Sequence, residues 1–296
     1  MQRRELLKGL GAASALALAA DATDPAHATT GTKPMSKTVD LFVKDWGRGK
    51  PLLFLHSWAV TNEIWQYQHE HFVRAGYRVV AYDRRGHGRS AQPGDGYDAD
   101  TLADDLARVI DAHNLTGVTL IGHSMAAGEI VRYLSRHGSS KVARIVLAAP
   151  TTPFILKTAD NPQGIDGAAF EGLRNIWRAD FPKWMADNSR PFFMPATSQA
   201  MIDWGMSLFQ APLHVAIACN EAMVNTDFRP DCQAVRVPTL ILHGTKDASA
   251  AFPLTGKRTA ELIPHAQLRA YEDAPHGLML THTARVNADI AAFLDA

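Results

Sequence analysis

Cysteine and long apolar runs are both scarce in this sequence. Only two of the 296 residues are cysteines, Cys219 and Cys232, which excludes a scaffold built on many disulfides. An oxidising compartment would permit a bond between them, but we expect two unpaired thiols. Beyond the amino-terminal segment, no run approaches the roughly 18 apolar residues that a membrane-spanning helix needs. We therefore expect no stable membrane span.

A net charge is also absent, because Lys and Arg together number 30 and Asp and Glu together number 30. This balance gives no indication of nucleic acid or an anionic membrane as a partner. Metal and dinucleotide patterns are missing as well. His69 and His71 do not share a helix face and have no third ligand at a suitable spacing, and the segment 86–88 lacks the third glycine of a dinucleotide fingerprint. We therefore expect neither a metal nor a cofactor.

The most informative segment that is present is Gly122-His123-Ser124-Met125-Ala126. It follows an apolar, strand-like run at 118–121 and precedes a helix-compatible stretch from 127 onwards. A serine at such a strand-to-helix turn presents its hydroxyl above the sheet as a nucleophile. The context therefore predicts Ser124 as a catalytic nucleophile.

A serine hydroxyl is a weak nucleophile, so it needs a base and a third group that orients the base. Asp247 follows a buried strand-like segment at 237–244, and His276 lies in a turn-rich loop before the last helical segment. The chain order Ser124, Asp247, His276 is typical of serine hydrolases built on an open α/β sheet. We predict His276 as the base and Asp247 as the acid that orients it.

Acyl transfer also needs donors for the negative charge that develops on the carbonyl oxygen. The backbone N–H of Met125, next to the nucleophile, is one candidate donor. The N–H of Trp58, in the loop after the strand-like segment 51–56, is the other. These two groups form the predicted oxyanion hole.

These segments resemble the α/β-hydrolase superfamily, and within it the cofactor-free bacterial haloperoxidase, perhydrolase and aryl-esterase branch. The resemblance runs from about residue 39 to residue 294. It is carried by the motifs KDWG at 44–47, YDRRGHGRS at 82–90, YDADTLADDL at 97–106, TDF at 226–228 and APHGL at 274–278. The resemblance implies the same triad and the same oxyanion donors as the residues themselves predict.

Three positions depart from the pattern of that family. Ser57 and Ala126 stand where glycine is usual, and Ala59 stands where many relatives carry proline. We expect Ala126 to be tolerated, whereas Ser57 either shifts Trp58 or adds a polar contact near the substrate. The departures favour plain ester hydrolysis over perhydrolysis and halogenation.

Strand-like runs alternate with helix-length segments such as 98–114. The strand-like runs lie at 38–43, 51–56, 78–83, 118–122, 144–148, 239–243 and 267–271. This alternation predicts an α/β-hydrolase fold with a doubly wound, mainly parallel sheet. From 151 to about 228 the pattern is helical and rich in aromatic residues, which predicts a helical cap over the carboxyl ends of the strands. We predict that Phe154 and Trp204 line a hydrophobic pocket beneath it, although cap-to-core packing is the alternative for each.

The amino terminus has the pattern of an export signal. Arg3-Arg4-Glu5-Leu6-Leu7-Lys8 precedes a short apolar stretch, and Ala26-His27-Ala28 suits signal-peptidase cleavage. We predict a twin-arginine-type signal peptide at 1–28, cleaved after Ala28 or alternatively after Ala22, followed by one α/β-hydrolase domain at 29–296. The twin-arginine export machinery would then be a transient partner, and the mature protein would be periplasmic or secreted.

Three functions fit this sequence. The first, which we expect, is a serine hydrolase that cleaves small carboxylic esters through an acyl-enzyme. In the second, peroxide intercepts the acyl-enzyme, which gives cofactor-free chloroperoxidase or perhydrolase activity. The third is a non-catalytic binding protein with the same fold.

Two enzyme classes are disfavoured by the nucleophile itself. Haloalkane dehalogenases and epoxide hydrolases need a carboxylate nucleophile, which Ser124 does not supply.

Overall fold

A single sheet organises residues 38–296, which are the residues that the computed structural model describes. Its strands are β1 (Val43–Trp46), β2 (Pro51–Leu55), β3 (Arg78–Tyr82), β4 (Val118–His123), β5 (Val142–Ala148), β6 (Thr239–Gly244) and β7 (Gln267–Tyr271). The strand order is β1-β3-β2-β4-β5-β6-β7. Only the edge strand β1 runs antiparallel to its neighbour, and all other adjacent strands are parallel. The predicted signal peptide and its cleavage sites lie outside the described residues.

Helices cover both faces of this sheet. They are α1 (Gln66–Arg74), α2 (Ala99–Ala112), α3 (Ala126–His137), α4 (Gly167–Asn188), α5 (Gln199–Ser207), α6 (Leu213–Asn225), α7 (Arg229–Ala234), α8 (Gly256–Leu262), α9 (Leu278–Thr281) and α10 (Thr283–Asp295), with short 3₁₀ helices at Asn62–Trp65 and Arg190–Phe192. Side chains of β2 alternate between the two faces: Leu53 packs with α2 and α3, whereas Phe54 packs with α1 and α10. This two-sided core confirms the predicted doubly wound, mainly parallel fold.

The first strand is the main difference from the sequence-based prediction. A strand was expected at 38–43, but β1 begins at Val43. The preceding residues follow the loop after β3 instead, because the carbonyl oxygens of Asp40 and Phe42 accept hydrogen bonds from the N–H groups of Ala91 and Asp83. The predicted segment is therefore extended, but most of it pairs with a loop and not with the sheet.

A helical insertion separates β5 from β6. Its helices α4, α5 and α6 fall within the range 151–228 that we predicted as a cap. The long helix α4 bends at Asp180, whose φ and ψ are −159° and 82°, because Pro182 cannot continue the hydrogen-bond ladder. Cys219 in α6 and Cys232 in α7 are buried and free, as expected.

The insertion is attached to two loops at the carboxyl edge of the sheet. The N–H of Gln210 donates to the carbonyl oxygen of Ala59, in the loop after β2, at 3.0 Å. The N–H of Gly277, in the loop after β7, donates to the carbonyl oxygen of Phe192 at 3.0 Å. The helical insertion therefore lies over the edge where open α/β sheets place functional groups.

No helix within residues 38–296 is both long enough and apolar enough to cross a bilayer.

Candidate active site

Ser124 lies at the sharp turn between β4 and α3. Its φ angle is +59°, a conformation that is uncommon for any residue other than glycine and that is often found at functional sites. Close packing enforces the turn, because a Cβ atom on Gly122 would lie only 2.6 Å from Cδ1 of Ile130. The local fold therefore raises the Ser124 hydroxyl above the end of the strand.

The three residues of the predicted triad lie together and are buried. Oγ of Ser124 is 2.9 Å from Nε2 of His276. Nδ1 of His276 is 2.7 Å from Oδ2 of Asp247. This continuous chain of hydrogen bonds has the geometry of a nucleophile, a base and an orienting carboxylate.

Asp247 is held by a dense set of donors. Its Oδ1 accepts hydrogen bonds from the backbone N–H groups of Ser249 at 2.8 Å and Ala250 at 2.7 Å. Burial alone would raise its pKa, but the positive charge available on His276 and the hydrogen bonds from His243 and His276 outweigh burial and hold the pKa of Asp247 below its usual range. The carboxylate therefore remains ionised at neutral and mildly acidic pH.

A second histidine contacts the same carboxylate. Nε2 of His243 lies 3.1 Å from Oδ2 of Asp247 and 2.8 Å from the carbonyl oxygen of Ala250. Sequence reasoning missed this contact. The available signal was a histidine at the end of a buried strand, four residues before the candidate acid. His243 thus contacts the same carboxylate oxygen of Asp247 as the base does.

The histidine that precedes the nucleophile, His123, is buried and packs against the base. Its Nε2 lies 3.0 Å from the carbonyl oxygen of His276, and its ring centroid is 4.6 Å from that of His276. Burial, followed by the charge of His276, lowers the pKa of His123 well below its usual value. The neutral imidazole can donate to the carbonyl oxygen and so helps to place the loop that carries His276.

The two predicted oxyanion donors, the N–H groups of Trp58 and Met125, lie in the loop after β2 and just before α3. Among residues 38–296, no protein acceptor takes a hydrogen bond from the backbone N–H of Trp58 or Met125. The side chain of Met125 packs in a separate buried cluster with Tyr97 and Val215. Both N–H groups are therefore available to a ligand, which an oxyanion hole requires.

The substitutions that depart from the family pattern are compatible with this backbone. Neither Ser57 nor Ala126 has a positive φ angle, so glycine is not needed at either position. The carbonyl oxygen of Ser57 accepts a hydrogen bond from Nη1 of Arg84 at 3.2 Å. Ala59, in contrast, has a φ angle of +60°, which the ring of a proline cannot adopt. The loop in this chain thus differs in shape from one that carries proline there.

A cavity of about 200 Å³ adjoins Ser124 and His276. Its walls are mainly apolar side chains of the helical insertion, including Phe170, Trp177 and Trp184. The Trp58 ring packs on the Trp177 ring at a centroid distance of 4.8 Å and an interplanar angle of 30°. A concave, mostly apolar site with few polar groups suits a small organic substrate.

The prediction that Phe154 and Trp204 line the pocket is wrong, because neither belongs to the cavity wall. The Phe154 ring packs beneath the guanidinium of Arg229 at 5.2 Å. The Trp204 ring contacts Tyr67 edge to face at 6.1 Å. In α5 the next residue, Gly205, faces the cavity instead, since adjacent positions of a helix point in different directions.

The charged side chains beneath the site form structural pairs. Arg84 is fully buried, and its Nε donates to Oε1 of Glu129 at 2.6 Å. Its backbone N–H donates to Nε2 of His56 at 2.8 Å. Burial, followed by the charge of Arg84, lowers the pKa of His56 well below its usual value.

Within residues 38–296, no group of three side chains is arranged to hold a metal ion.

Comparison with known proteins agrees with this geometry. The family model for the alpha/beta hydrolase fold matches residues 50–283. The chain belongs to this alpha/beta hydrolase family. The matched range includes all three residues of the hydrogen-bonded chain.

Relatives of this alpha/beta hydrolase cover nearly all of the described chain. A non-heme chloroperoxidase from Kitasatospora aureofaciens is 36% identical over 266 residues, which cover 87% of this chain and 96% of that protein. A bifunctional esterase/perhydrolase from Acinetobacter calcoaceticus is 34% identical over 265 residues, or 86% and 96% of the two chains. The crystal structure of a bromoperoxidase from Bacillus anthracis is 34% identical and superimposes with a TM-score of 0.84, covering 87% and 96% of the two chains.

Proposed function

We propose that this alpha/beta hydrolase is a serine carboxylesterase that acts on small carboxylic esters. The observation that carries the proposal is the unbroken hydrogen-bond chain from Ser124 through His276 to Asp247 at the wall of an apolar cavity. The similarity to an esterase/perhydrolase supports it. The non-catalytic alternative is disfavoured because a binding protein has no need of this arrangement.

In the proposed mechanism, Ser124 is the nucleophile and His276 is the general base. Nε2 of His276 takes the hydroxyl proton as Oγ of Ser124 attacks the ester carbonyl carbon. The resulting oxyanion accepts hydrogen bonds from the N–H groups of Trp58 and Met125. The tetrahedral intermediate then collapses, the C–O bond to the alcohol breaks, and His276 gives its proton to the departing alcohol.

Deacylation repeats these steps with water. His276 deprotonates a water molecule that attacks the acyl carbon, and collapse of the second intermediate releases the carboxylic acid and restores the Ser124 hydroxyl. Asp247 stays ionised throughout, since its pKa is held below the usual range. It keeps Nδ1 of His276 protonated and stabilises the imidazolium that forms in both steps.

A second candidate function uses hydrogen peroxide in place of water in deacylation. Attack of peroxide on the acyl-enzyme releases a peracid, which can transfer an oxygen atom to halide. The similarity to a non-heme chloroperoxidase favours this activity. The conformation of Ala59, with its positive φ angle, gives the oxyanion loop a shape incompatible with the proline of many relatives. We therefore place ester hydrolysis first.

Covalent labelling of Ser124 tests the proposal. Purified mature protein is treated with a fluorophosphonate and its intact mass is measured, while hydrolysis of p-nitrophenyl acetate and butyrate is followed with and without hydrogen peroxide. We expect one label per chain. The Ser124→Ala variant should lose the label and at least about 10⁴-fold in kcat. Peracid formation in the peroxide arm would establish the second function.

Two results would contradict the esterase proposal. Undiminished ester hydrolysis by folded Ser124→Ala would exclude Ser124 as the nucleophile. A well-folded wild-type protein that is neither labelled nor active on any ester would favour the binding-protein alternative. Circular dichroism of both proteins controls for misfolding.

We also propose export by the twin-arginine pathway, on the basis of the Arg3-Arg4 pair and the cleavage motif ending at Ala28. In a bacterial host, the full chain should yield a periplasmic product whose mass corresponds to residues 29–296. Replacement of both arginines by lysine should retain the uncleaved chain inside the cell. Equal export of the two proteins would contradict the proposal.

A further inference from the structure

One amide side chain of the cavity wall lies among apolar residues. Asn220 in α6 is only 5% exposed and belongs to the cavity wall together with Phe170, Leu173 and Met223. A buried amide among apolar side chains is unfavourable unless its hydrogen-bonding groups are satisfied. The partners of Asn220 therefore indicate what the cavity binds.

Arg174 fixes the orientation of this amide. Nη1 of Arg174 lies 3.0 Å from Oδ1 of Asn220. A guanidinium only donates hydrogen bonds, so the amide oxygen must face it and the amide nitrogen must point away. Arg174 does not line the cavity, whereas Asn220 does, which leaves the amide nitrogen for the cavity side.

The amide nitrogen of Asn220 is the unpaired end of this side chain in the part of the protein that the structure describes. Within residues 38–296, no acceptor takes a hydrogen bond from Nδ2, while Oδ1 is occupied. Four other polar side chains of the cavity wall instead donate to backbone carbonyl oxygens: the hydroxyls of Thr151, Ser189 and Thr255 and the amide nitrogen of Asn188. Asn220 thus presents an unused amide donor in the part of the wall that Phe170, Leu173 and Met223 also line.

Two carboxylates compensate the positive charge of Arg174, which itself does not line the cavity. Oε2 of Glu171 lies 2.9 Å from Nη2 of Arg174, and Oε1 of Glu221 lies 3.6 Å from Nε. The group facing the cavity is consequently a neutral donor. It suits a neutral oxygen acceptor such as an ether or keto oxygen better than a carboxylate.

We infer that Asn220 is a specificity-determining residue that selects esters with a second, neutral oxygen acceptor remote from the scissile carbonyl. This inference rests on the proposed esterase function. An apolar chain in the same place leaves the Asn220 donor unpaired and desolvated, whereas an ether oxygen accepts its hydrogen bond. The preference should therefore appear in kcat/KM for otherwise isosteric substrates.

Matched substrates test the inference. One series consists of p-nitrophenyl esters of straight-chain acids, each paired with the ether acid in which oxygen replaces one methylene at successive positions. A second series places the same exchange in the alcohol part, which distinguishes recognition of the two halves of the ester. At the position that reaches Asn220, we expect the wild-type protein to prefer the ether ester by about tenfold in kcat/KM.

Two substitutions remove the donor in different ways. Asn220→Leu abolishes the amide, and Asn220→Asp keeps an acceptor for Arg174 while replacing the donor with a second acceptor. Both should lose the ether preference. The matched control Asn188→Leu changes an amide of the same cavity wall whose nitrogen is already bonded to the Trp184 carbonyl, and its substrate ratio should equal that of the wild type.

The outcomes separate this inference from the proposed function. Hydrolysis without an ether preference at any position in either series, or a preference retained by the folded Asn220 variants, overturns the inference and leaves the esterase intact. Absence of both hydrolysis and fluorophosphonate labelling in the wild type overturns both. Labelling of Ser124 in each variant shows whether the site is still assembled.

Discussion

Asp247 is the most heavily constrained side chain of the site. Two backbone N–H groups occupy one of its oxygens, and His243 and His276 share the other. A carboxylate that accepts this many hydrogen bonds is favoured in its ionised form. It also has little freedom to rotate, so the imidazole that it orients is held in place. His243 is the part of this arrangement with no assigned role in the triad.

We predict that His243→Phe lowers kcat by about tenfold and leaves KM nearly unchanged, because one hydrogen bond to the charged Asp247 is lost and His243 does not line the cavity. His243→Gln can keep an N–H donor and should recover most of the loss. Steady-state kinetics with p-nitrophenyl butyrate measures both variants. Unchanged kcat in the phenylalanine variant would show that the other donors suffice to hold Asp247.

At the scale of single residues, local sequence motifs identify the functional residues that lie within them. They do not reveal contacts between residues that are far apart in the sequence. Ser124 is marked by its place between a strand and a helix. Asn220 meets Arg174 across 46 residues, and no local pattern reports that contact. Phe154 was misassigned for a similar reason, since an aromatic residue in a cap has no sequence feature that tells whether its ring faces the cavity or Arg229.

The loops after the strands, and not the strands themselves, determine the site at the scale of elements. The loop after β2 is bonded to the insertion through Ala59 and through the Trp58 indole, whose Nε1 donates to the carbonyl oxygen of Ala216 at 2.7 Å. The loop after β7 is bonded to the insertion through Gly277. The insertion therefore supports both the oxyanion loop and the loop of the base.

We predict that Gly244→Ala, at the end of β6, impairs catalysis through the neighbouring loop. A Cβ atom there would collide with the carbonyl oxygen of Ala274, two residues before His276. Backbone atoms cannot yield as a flexible side chain can, so the loop must shift. We expect kcat to fall at least about tenfold and the free energy of unfolding to fall by about 1–3 kcal/mol.

Gly172 in α4 offers the matched control for this substitution. A Cβ atom on Gly172 would have no neighbour within 4 Å, and alanine is favoured over glycine inside a helix. Gly172→Ala should retain full activity and gain up to about 1 kcal/mol in denaturant unfolding. Equal kinetics for Gly244→Ala and Gly172→Ala would contradict the role assigned to the loop contact.

Helix α2 and the edge strand β7 were predictable, and the edge strand β1 was not. Helix α2 was expected at 98–114 and spans Ala99–Ala112, with Thr101 N–H bonded to the Asp98 side chain at its start. Strand β1 was misplaced because the residues before it, including Asp40 and Phe42, bond to the loop after β3, and sequence alternation does not reveal that contact. The bend in α4 before Pro182 follows from the missing N–H of proline.

At the scale of the whole molecule, a chain with no formal net charge encloses several ionisable groups. Arg85 and Asp105, for example, form a fully buried pair at 2.5 Å. Buried histidines are a different case. Burial, followed by the charge of Lys44, lowers the pKa of His69 to about 3, and burial, followed by the charge of Arg84, lowers the pKa of His87 to about 3. The amino-acid composition gives the number of these ionisable groups but does not show that the fold buries them.

These histidines make the stability of the fold depend on pH in a defined direction. In the unfolded chain an imidazole titrates near its ordinary pKa of about 6.5. Between about pH 6.5 and the folded value near 3 for His69 and His87, the unfolded state binds protons that the folded state does not. The contribution of these two histidines to the stability of the folded state is therefore complete above their unfolded pKa of about 6.5. It is lost as the pH falls towards their folded pKa of about 3.

His69 allows this linkage to be tested, because both of its ring nitrogens lack partners within the described residues and its ring packs against Phe54 at 5.1 Å. Between about pH 6.5 and pH 3, the free energy of unfolding should change with pH less steeply in His69→Phe than in the wild type, by about 1.4 kcal/mol per pH unit. Urea unfolding of both proteins across this range measures the difference. The curves should run parallel above pH 6.5 and diverge below it, with the variant more stable in acid, because other titrating groups contribute equally to both. Curves that stay parallel down to the acid limit would mean that the folded protein protonates His69 as readily as the unfolded chain does.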